Sequence, residues 1–224
     1  MQDFLNYIKD SYLFKESLNR PPFIDKKISL IWSWVSSTTK LGDIISYFES
    51  GNSSTDTAMV QANNQLKNET GMSFLDFSID LKSKFPGESE NFTQLDSFIV
   101  GELYSSFDIC FLFSNYNVQR SILYSDKLPH TVFAKVGLGG EGYINQPLED
   151  GTYKYYLFSR TSKGKRIFDE AHVFNKELLP GTNNKIYLLL KDNQRNYKLL
   201  GLYESIELVC EESGAKWVRL RNLN

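Results

Sequence analysis

"EGYINQPLEDGTYKYYLFSR", residues 141–160, sets a polar, turn-forming stretch between aromatic side chains. Asp150-Gly151 is a turn signal, and Tyr153, Tyr155, Tyr156 and Phe158 follow in a run whose aromatic content favours a strand. Tyr143 stands on the other side of the loop. A plain hairpin needs the Asp and Gly but has no use for tyrosines facing one another across it. The arrangement therefore points to a pocket for a flat ring.

Working outward, "TVFAKV" (131–136), "YKYYLF" (153–158), "KIYLLLK" (185–191), "YKLLGLYESIELV" (197–209) and "KWVRLR" (216–221) read as strands from their β-branched and aromatic content. In the last, Val218 and Leu220 alternate with Trp217, Arg219 and Arg221, which implies one buried face. "IFDEAHVFNKELL" (167–179) places Phe168, Ala171, Phe174 and Leu178 on one side of a helix. A short helix, "FDICFLFSNY", follows Ser105 and Ser106, either of which can cap it. "GLGGEG" (137–142) lacks the Lys-Ser/Thr ending of a phosphate loop and reads as a turn.

The first hundred residues are helical in pattern. Phe4, Leu5, Ile8 and Tyr12 fall at helical intervals within 3–14, and Pro22 ends that segment. A second helical run extends from Asp25 to about Phe48, with a break near Gly42. Residues 50–57 form a loop by composition, with Asp56 as a cap for "TAMVQANNQLKNE". "SFLDFSIDLKSKF" (73–85) fits helix or strand, and "PGESEN" (86–91) reads as a turn. The expected division is 1–95, a helical accessory or interaction domain, and 100–224, a β-rich domain. Several strands with one interposed helix and no βαβ alternation indicate an α+β protein whose second part is a small curved β-barrel.

Composition is that of an ordinary folded chain of 224 residues, 41% apolar and 23% charged. The densest apolar run, "ISLIWSWV" (28–35), is far shorter than the roughly 18 residues of a membrane span. The N-terminus lacks a basic leader, and Cys110 and Cys210 lie in strand-like or apolar contexts. A reducing, cytoplasmic setting with no membrane is expected. Net charge is −2, but it is unevenly spread. Residues 1–99 hold 9 basic against 13 acidic side chains, whereas 160–198 hold 9 basic against 4 acidic. Arg160, Lys163, Lys165 and Arg166 cluster at the start of the latter, a patch of the kind phosphates attract.

Catalytic chemistry is harder to read. His130 and His172 are the two histidines, and neither has metal-ligand spacing. Asp80 and Lys82 have the acidic-x-Lys spacing of many metal-dependent nucleases, with Asp56 or Asp76 as second carboxylate. No cofactor or metal motif is legible, and a non-catalytic role is the stronger expectation.

"LYSSFDICFLFSNYNVQRSI" (103–122), "PHTVFAKVGLGGEGYINQPLEDGTYKYYLFSR" (129–160) and "VFNKELLPGTNNKIYLLLKDNQRNYKLLGLYE" (173–204) follow one another in an order that resembles the SRA-type (YDG, PUA-like) modified-base-binding module. The form is the one linked to HNH nucleases in modification-dependent restriction systems. The matching elements are Gln119–Ile122, Thr131–Val136, Gly142-Tyr143, Asp150-Gly151, Tyr155, Asn175, Ile186–Leu190 and Tyr197–Gly201. The resemblance implies a base turned out of the duplex, sandwiched by Tyr143 and Tyr155 and read at its polar edge. With the loop between these tyrosines supplying the edge-reading group, the expected base-binding set is Tyr143, Asn145, Gln146, Asp150, Tyr155 and Tyr156. Where cytosine readers of the family carry acidic residues, this chain has Ile144, Asn145 and Gln146. Amides donate and accept, so they pair with adenine, thymine or a modified pyrimidine as readily as with cytosine.

The expectation is a DNA-binding specificity module of a restriction or phage-defence system, acting on double-stranded DNA with modified bases. It would work beside a nuclease or ATPase partner. Two alternatives compete with it: a modification-dependent nuclease with its site in the N-terminal half, and a protein-interaction adaptor or inhibitor on the same barrel.

Overall fold

The computed structural model describes residues 3–10, 39–53, 57–114, 120–137, 143–192 and 196–224. They fall into two compact units, Met1–Leu95 and Asp96–Asn224. Pro22, Asp56, the 28–35 apolar run, Gln119 and the loop glycines 139, 140 and 142 lie outside the described residues.

The first unit contains helices α1 (Asp3–Asp10), α2 (Leu41–Ser53), α3 (Thr57–Thr70), α4 (Phe74–Lys84) and α5 (Pro86–Ser89). The ambiguous 73–85 segment is helical because its ends and its period agree. Ser73 Oγ accepts from Asp76 N and Asp76 Oδ2 accepts from Ser73 N, a reciprocal cap. Phe74, Phe77, Ser78 and Leu81 turn inward, and the Phe48 ring meets those of Phe74 and Phe77 at 5.4 Å each. Residues 86–89, read as a turn, form a helical turn with Pro86 in its first position, where a missing N–H costs nothing. Residues 39–40 are not helical and α2 begins at Leu41, so Gly42 lies in its first turn. The Gly42 amide donates to Asn91 O at 2.9 Å, and an added Cβ would sit 2.5 Å from that oxygen.

In the second unit, β1 (Leu103–Tyr104) and helix α6 (Ser106–Leu112) precede β2 (Ile122–Leu123) and β3 (Thr131–Val136). Ser105 is the residue that caps α6, paired reciprocally with Asp108. Then come β4 (Gln146–Pro147), β5 (Tyr153–Tyr156), β6 (Ser159–Ser162), β7 (Lys165–Phe168), α7 (Val173–Lys176), β8 (Lys185–Lys191), β9 (Tyr197–Cys210) and β10 (Lys216–Asn222). One mixed sheet runs β2-β3-β8-β9-β10-β5-β4, with β1 paired to the start of β9. The parallel pair β3–β8 lies at its buried heart, where the Phe133 and Tyr187 rings stack at 4.6 Å. A core of Val132, Ala134, Val136, Tyr153, Tyr155, Leu157, Phe168, Leu178, Leu188, Val218 and Leu220 fills one side.

The curved barrel expected from the sequence is not formed. The sheet is open, neither closed nor curled, so the α+β class stands without the SRA/PUA-like barrel. Closure requires tilted edges long enough to pair with each other. Here the terminal strands β2 and β4 have two residues each and are not neighbours.

The interposed helix is also shorter than the 167–179 pattern suggested. Ile167 and Phe168 belong to β7, and α7 covers only four residues. Lys163 (φ 48°) and Gly164 (φ 75°) form a two-residue turn that folds β7 back on β6, and this pairing overrides the helical period. The result is a separate two-stranded ribbon. Trp217, expected on an exposed face, is 7% exposed, covered in part by Lys154 and Arg219.

Candidate nucleic-acid interface

Along β5 the side chains alternate strictly. Tyr153, Tyr155 and Leu157 enter the core, while Lys154 and Tyr156 lie on the opposite face beside Trp217 and Arg219 of β10. The Tyr155 ring is 3% exposed, and its hydroxyl donates to the Lys135 carbonyl at 3.2 Å. Burial raises its phenol well above the usual tyrosine value. A ring in that position offers no free face to a base. Tyr143 is half-buried instead, with Tyr156 and Phe168 edge-on at 5.1 Å each and the Arg166 guanidinium 4.9 Å above the ring. The structure thus brings Tyr143 together with Tyr156, not with Tyr155.

The amides and the carboxylate between the tyrosines hold the backbone. Asn145 Oδ1 accepts from Tyr156 N at 2.7 Å, and its carbonyl accepts from the Tyr153 hydroxyl at 3.4 Å. Gln146 is exposed in β4, opposite Lys154 in register. Asp150 closes the turn by accepting from Thr152 N (2.9 Å) and Thr152 Oγ1 (2.5 Å), and Arg219 pairs with its other oxygen at 2.7 Å. The Thr152 hydrogen bonds, with Arg219 behind them, lower its pKa. Gln146 is therefore the one amide of the set whose side chain is turned to solvent.

Charge pairing differs between β5–β10 and the ribbon. On β5 and β10 the cations are paired: Lys154 with Glu211 at 2.8 Å, Lys216 with Glu170 at 2.5 Å, Arg219 with Asp150 and Glu207, and Arg221 with Glu204. On the ribbon they are not. Arg160, Lys163, Lys165 and Arg166 are all exposed, and among the described residues none forms an ion pair. Exposed lysines and arginines left without carboxylates can accept phosphates with no internal partner to displace.

The base of the ribbon is closed by Asn175, fully buried. Its Nδ2 donates to Phe158 O (2.9 Å) and Asp169 O (2.7 Å), and its Oδ1 accepts from Phe158 N (2.7 Å). One amide side chain thereby ties the residue before β6 to the residue after β7. The sequence places Asn175 in the 167–179 helical pattern and among the elements of the family resemblance, and does not mark it as the clasp of a ribbon. The signal was present in "SRTSKGKRIF", where a Lys-Gly pair separates two runs of equal length.

Among solved structures that match the chain is the DNA recognition domain of the cytosine modification-dependent restriction endonuclease LpnPI, at 12% identity and a TM-score of 0.41 over 58% of this chain and 77% of that one. The likeness is weak and partial. No protein-family model matches the chain, and no curated protein sequence does.

The carboxylates considered for cleavage chemistry have structural partners in the first unit. Asp76 caps α4, and Asp80 accepts from the Tyr7 hydroxyl and pairs with Lys84. Lys82 reaches Glu49 at 2.6 Å instead of either aspartate. His172 caps α7, its Nδ1 accepting from Phe174 N, and packs 4.7 Å from the Phe158 ring. Among the described residues no three His, Cys, Asp or Glu side chains gather as a metal site, and no helix is long and apolar enough to cross a membrane.

Proposed function

We propose that residues 96–224 are a DNA-binding specificity module and that the β6–β7 ribbon is its contact surface. Arg160, Lys163, Lys165 and Arg166 meet the phosphate-bearing duplex. Tyr143, held beneath Arg166 at the ribbon's flank, supplies an aromatic edge against which an extruded, modified base rests, with Gln146 the amide free to read it. The module serves a restriction or phage-defence system, with residues 1–95 as its accessory or interaction part and a nuclease or ATPase as its partner. One observation carries the reading: the ribbon's cations are unpaired while those of β5 and β10 are matched with carboxylates.

Binding of this kind weakens with salt, because each neutralised phosphate contributes about −0.9 to the slope of log K against log salt for duplex DNA. Replacing Lys163, Lys165 and Arg166 together by Ala flattens that slope by about two to three units. A titration of labelled duplex at several salt concentrations reads it. An unchanged slope means the cations are a solvated hairpin and the reading fails.

A further inference from the structure

We infer that the outer half of β9 is a docking edge for the C-terminal tail of a partner protein, which adds as a strand antiparallel to β9 and ends in the cleft at the start of β8. β9 has 14 residues, against seven each in β8 and β10. β8 pairs with residues 197–203 of it and β10 with residues 203–210. From residue 204 onward, the edge of β9 on the β8 side has no strand beside it among the described residues, and no loop hydrogen-bonds to its backbone. Alternate N–H and C=O groups of residues 205–210 therefore face outward, a template for an added strand. This gap is a step within the sheet and not one of its two ends. A cleft opens where the step begins, lined by residues 181–185 together with Glu204, Ser205 and Leu223. It holds about 210 Å³, several times a water's share of about 30 Å³. Gly181 (φ 87°) and Asn183 (φ 57°) bend the chain just before β8 starts at Lys185.

Opposite charges stand at the two ends of this edge. Lys185 at the cleft and Glu212, two residues past β9, are exposed, and among the described residues neither forms an ion pair. Glu204, Glu207 and Glu211 between them are matched by Arg221, Arg219 and Lys154. A strand in β8's line and antiparallel to β9 brings its C-terminus to Lys185, so carboxylate meets ammonium. A parallel strand would bring an amine there. Ser205 Oγ, buried with no hydrogen-bond partner among the described residues, can turn about χ1 and donate without breaking an existing bond. Pairing residue for residue places Glu212 beside a position about six residues before the tail's end, which suits Lys or Arg. A second copy of this chain is a poorer occupant. Antiparallel self-pairing of residues 204–210 sets Glu207 against its own copy, like charge on like. Ile206, between Ser205 and Glu207, has no opposite residue in β10, and that bulge twists the edge. A short tail follows the twist more readily than a preformed strand. The edge stands apart from the DNA-binding reading, since none of these residues belongs to the ribbon.

The test uses the full chain and a fluorescein-labelled peptide, Lys-Ser-Thr-Val-Thr-Val-Thr-Val, with binding read by the peptide's fluorescence anisotropy. Its terminal carboxyl is free or amidated, and two further peptides carry N-methyl groups on alternate residues, one in each phase. The expected result is that amidation weakens binding about fivefold or more. N-methylation abolishes binding in the phase whose N–H groups face β9 and leaves it within about twofold in the other. Lys185→Ala, at an exposed position, makes acid and amide bind alike. With peptide at about ten times its Kd, amide exchange within residues 205–210 slows about tenfold. Equal binding of the two N-methyl phases overturns strand addition, and equal binding of acid and amide to the parent protein overturns the carboxylate site. Absence of peptide binding, or unchanged exchange at residues 205–210 when the peptide is bound, overturns the proposal outright. None of these outcomes alters the salt titration that decides DNA binding.

Discussion

Tyr143 and Tyr155 were expected to form a pair, and their surroundings assign them different work. Tyr155 is a core ring whose hydroxyl is satisfied by a strand carbonyl, whereas Tyr143 is half-buried under an arginine. Truncating Tyr155 to Ala therefore costs about 3–5 kcal/mol of stability, as for other buried aromatics. Tyr143→Ala costs less, about 1–2 kcal/mol from lost ring contacts, and weakens DNA binding in a well-folded protein. Urea unfolding of both variants checks this, and a Tyr155→Ala protein as stable as the parent contradicts the core placement. The raised phenol has a consequence for pH. The unfolded chain ionises Tyr155 near pH 10 while the folded chain keeps the proton, so stability is complete below that pH and falls as pH rises above it. Tyr155→Phe, which cannot ionise, makes the alkaline fall shallower. The inward face of β5 was legible, since Tyr153, Tyr155 and Leu157 alternate with Lys154 and Tyr156. What directed Tyr155 toward the base was the family pattern, which carries no information on the face its ring occupies here.

At the level of elements, the ribbon depends on a contact distant in sequence. Asn175 satisfies three backbone groups of Phe158 and Asp169, 17 and 6 residues away. Asn175→Ala leaves them without partners in the interior, at about 1–3 kcal/mol for each buried group left unsatisfied. The expected outcome is a clear loss of global stability together with faster amide exchange at Phe158, while Asn145→Ala, at a half-buried loop, is milder. Exchange at Phe158 no faster than in the parent protein would mean that Asn175 is not the clasp. The strands of the sheet were readable because β-branched and aromatic runs mark them. The helix expected at 167–179 failed because Phe168, Phe174 and Leu178 do all reach the core, as that period demands, but from a strand and a short turn of helix rather than one cylinder. Burial periodicity records which residues go inward and not the backbone that carries them there.

The chain as a whole consists of two units, each with its own core, which predicts that residues 96–224 expressed alone fold cooperatively and keep the DNA affinity of the full chain within about threefold. Calorimetry and the labelled-duplex titration read the two parts of that expectation. A fragment that aggregates, or that loses affinity tenfold, shows that residues 1–95 belong to the binding unit. The asymmetry of charge between the halves was visible in the sequence; the openness of the sheet was not, because strand order and edge length are set by long-range pairing. That openness has a bearing on self-association. An unclosed sheet invites foreign strands to add at its margins. At one margin β4 offers only Gln146 and Pro147, and proline has no amide hydrogen to give. At the other, β2 offers two residues, both buried. Among the described residues a newcomer would find almost no template at either end of this sheet, which is guarded there against strand addition by brevity, where a barrel would do so by leaving no margin at all.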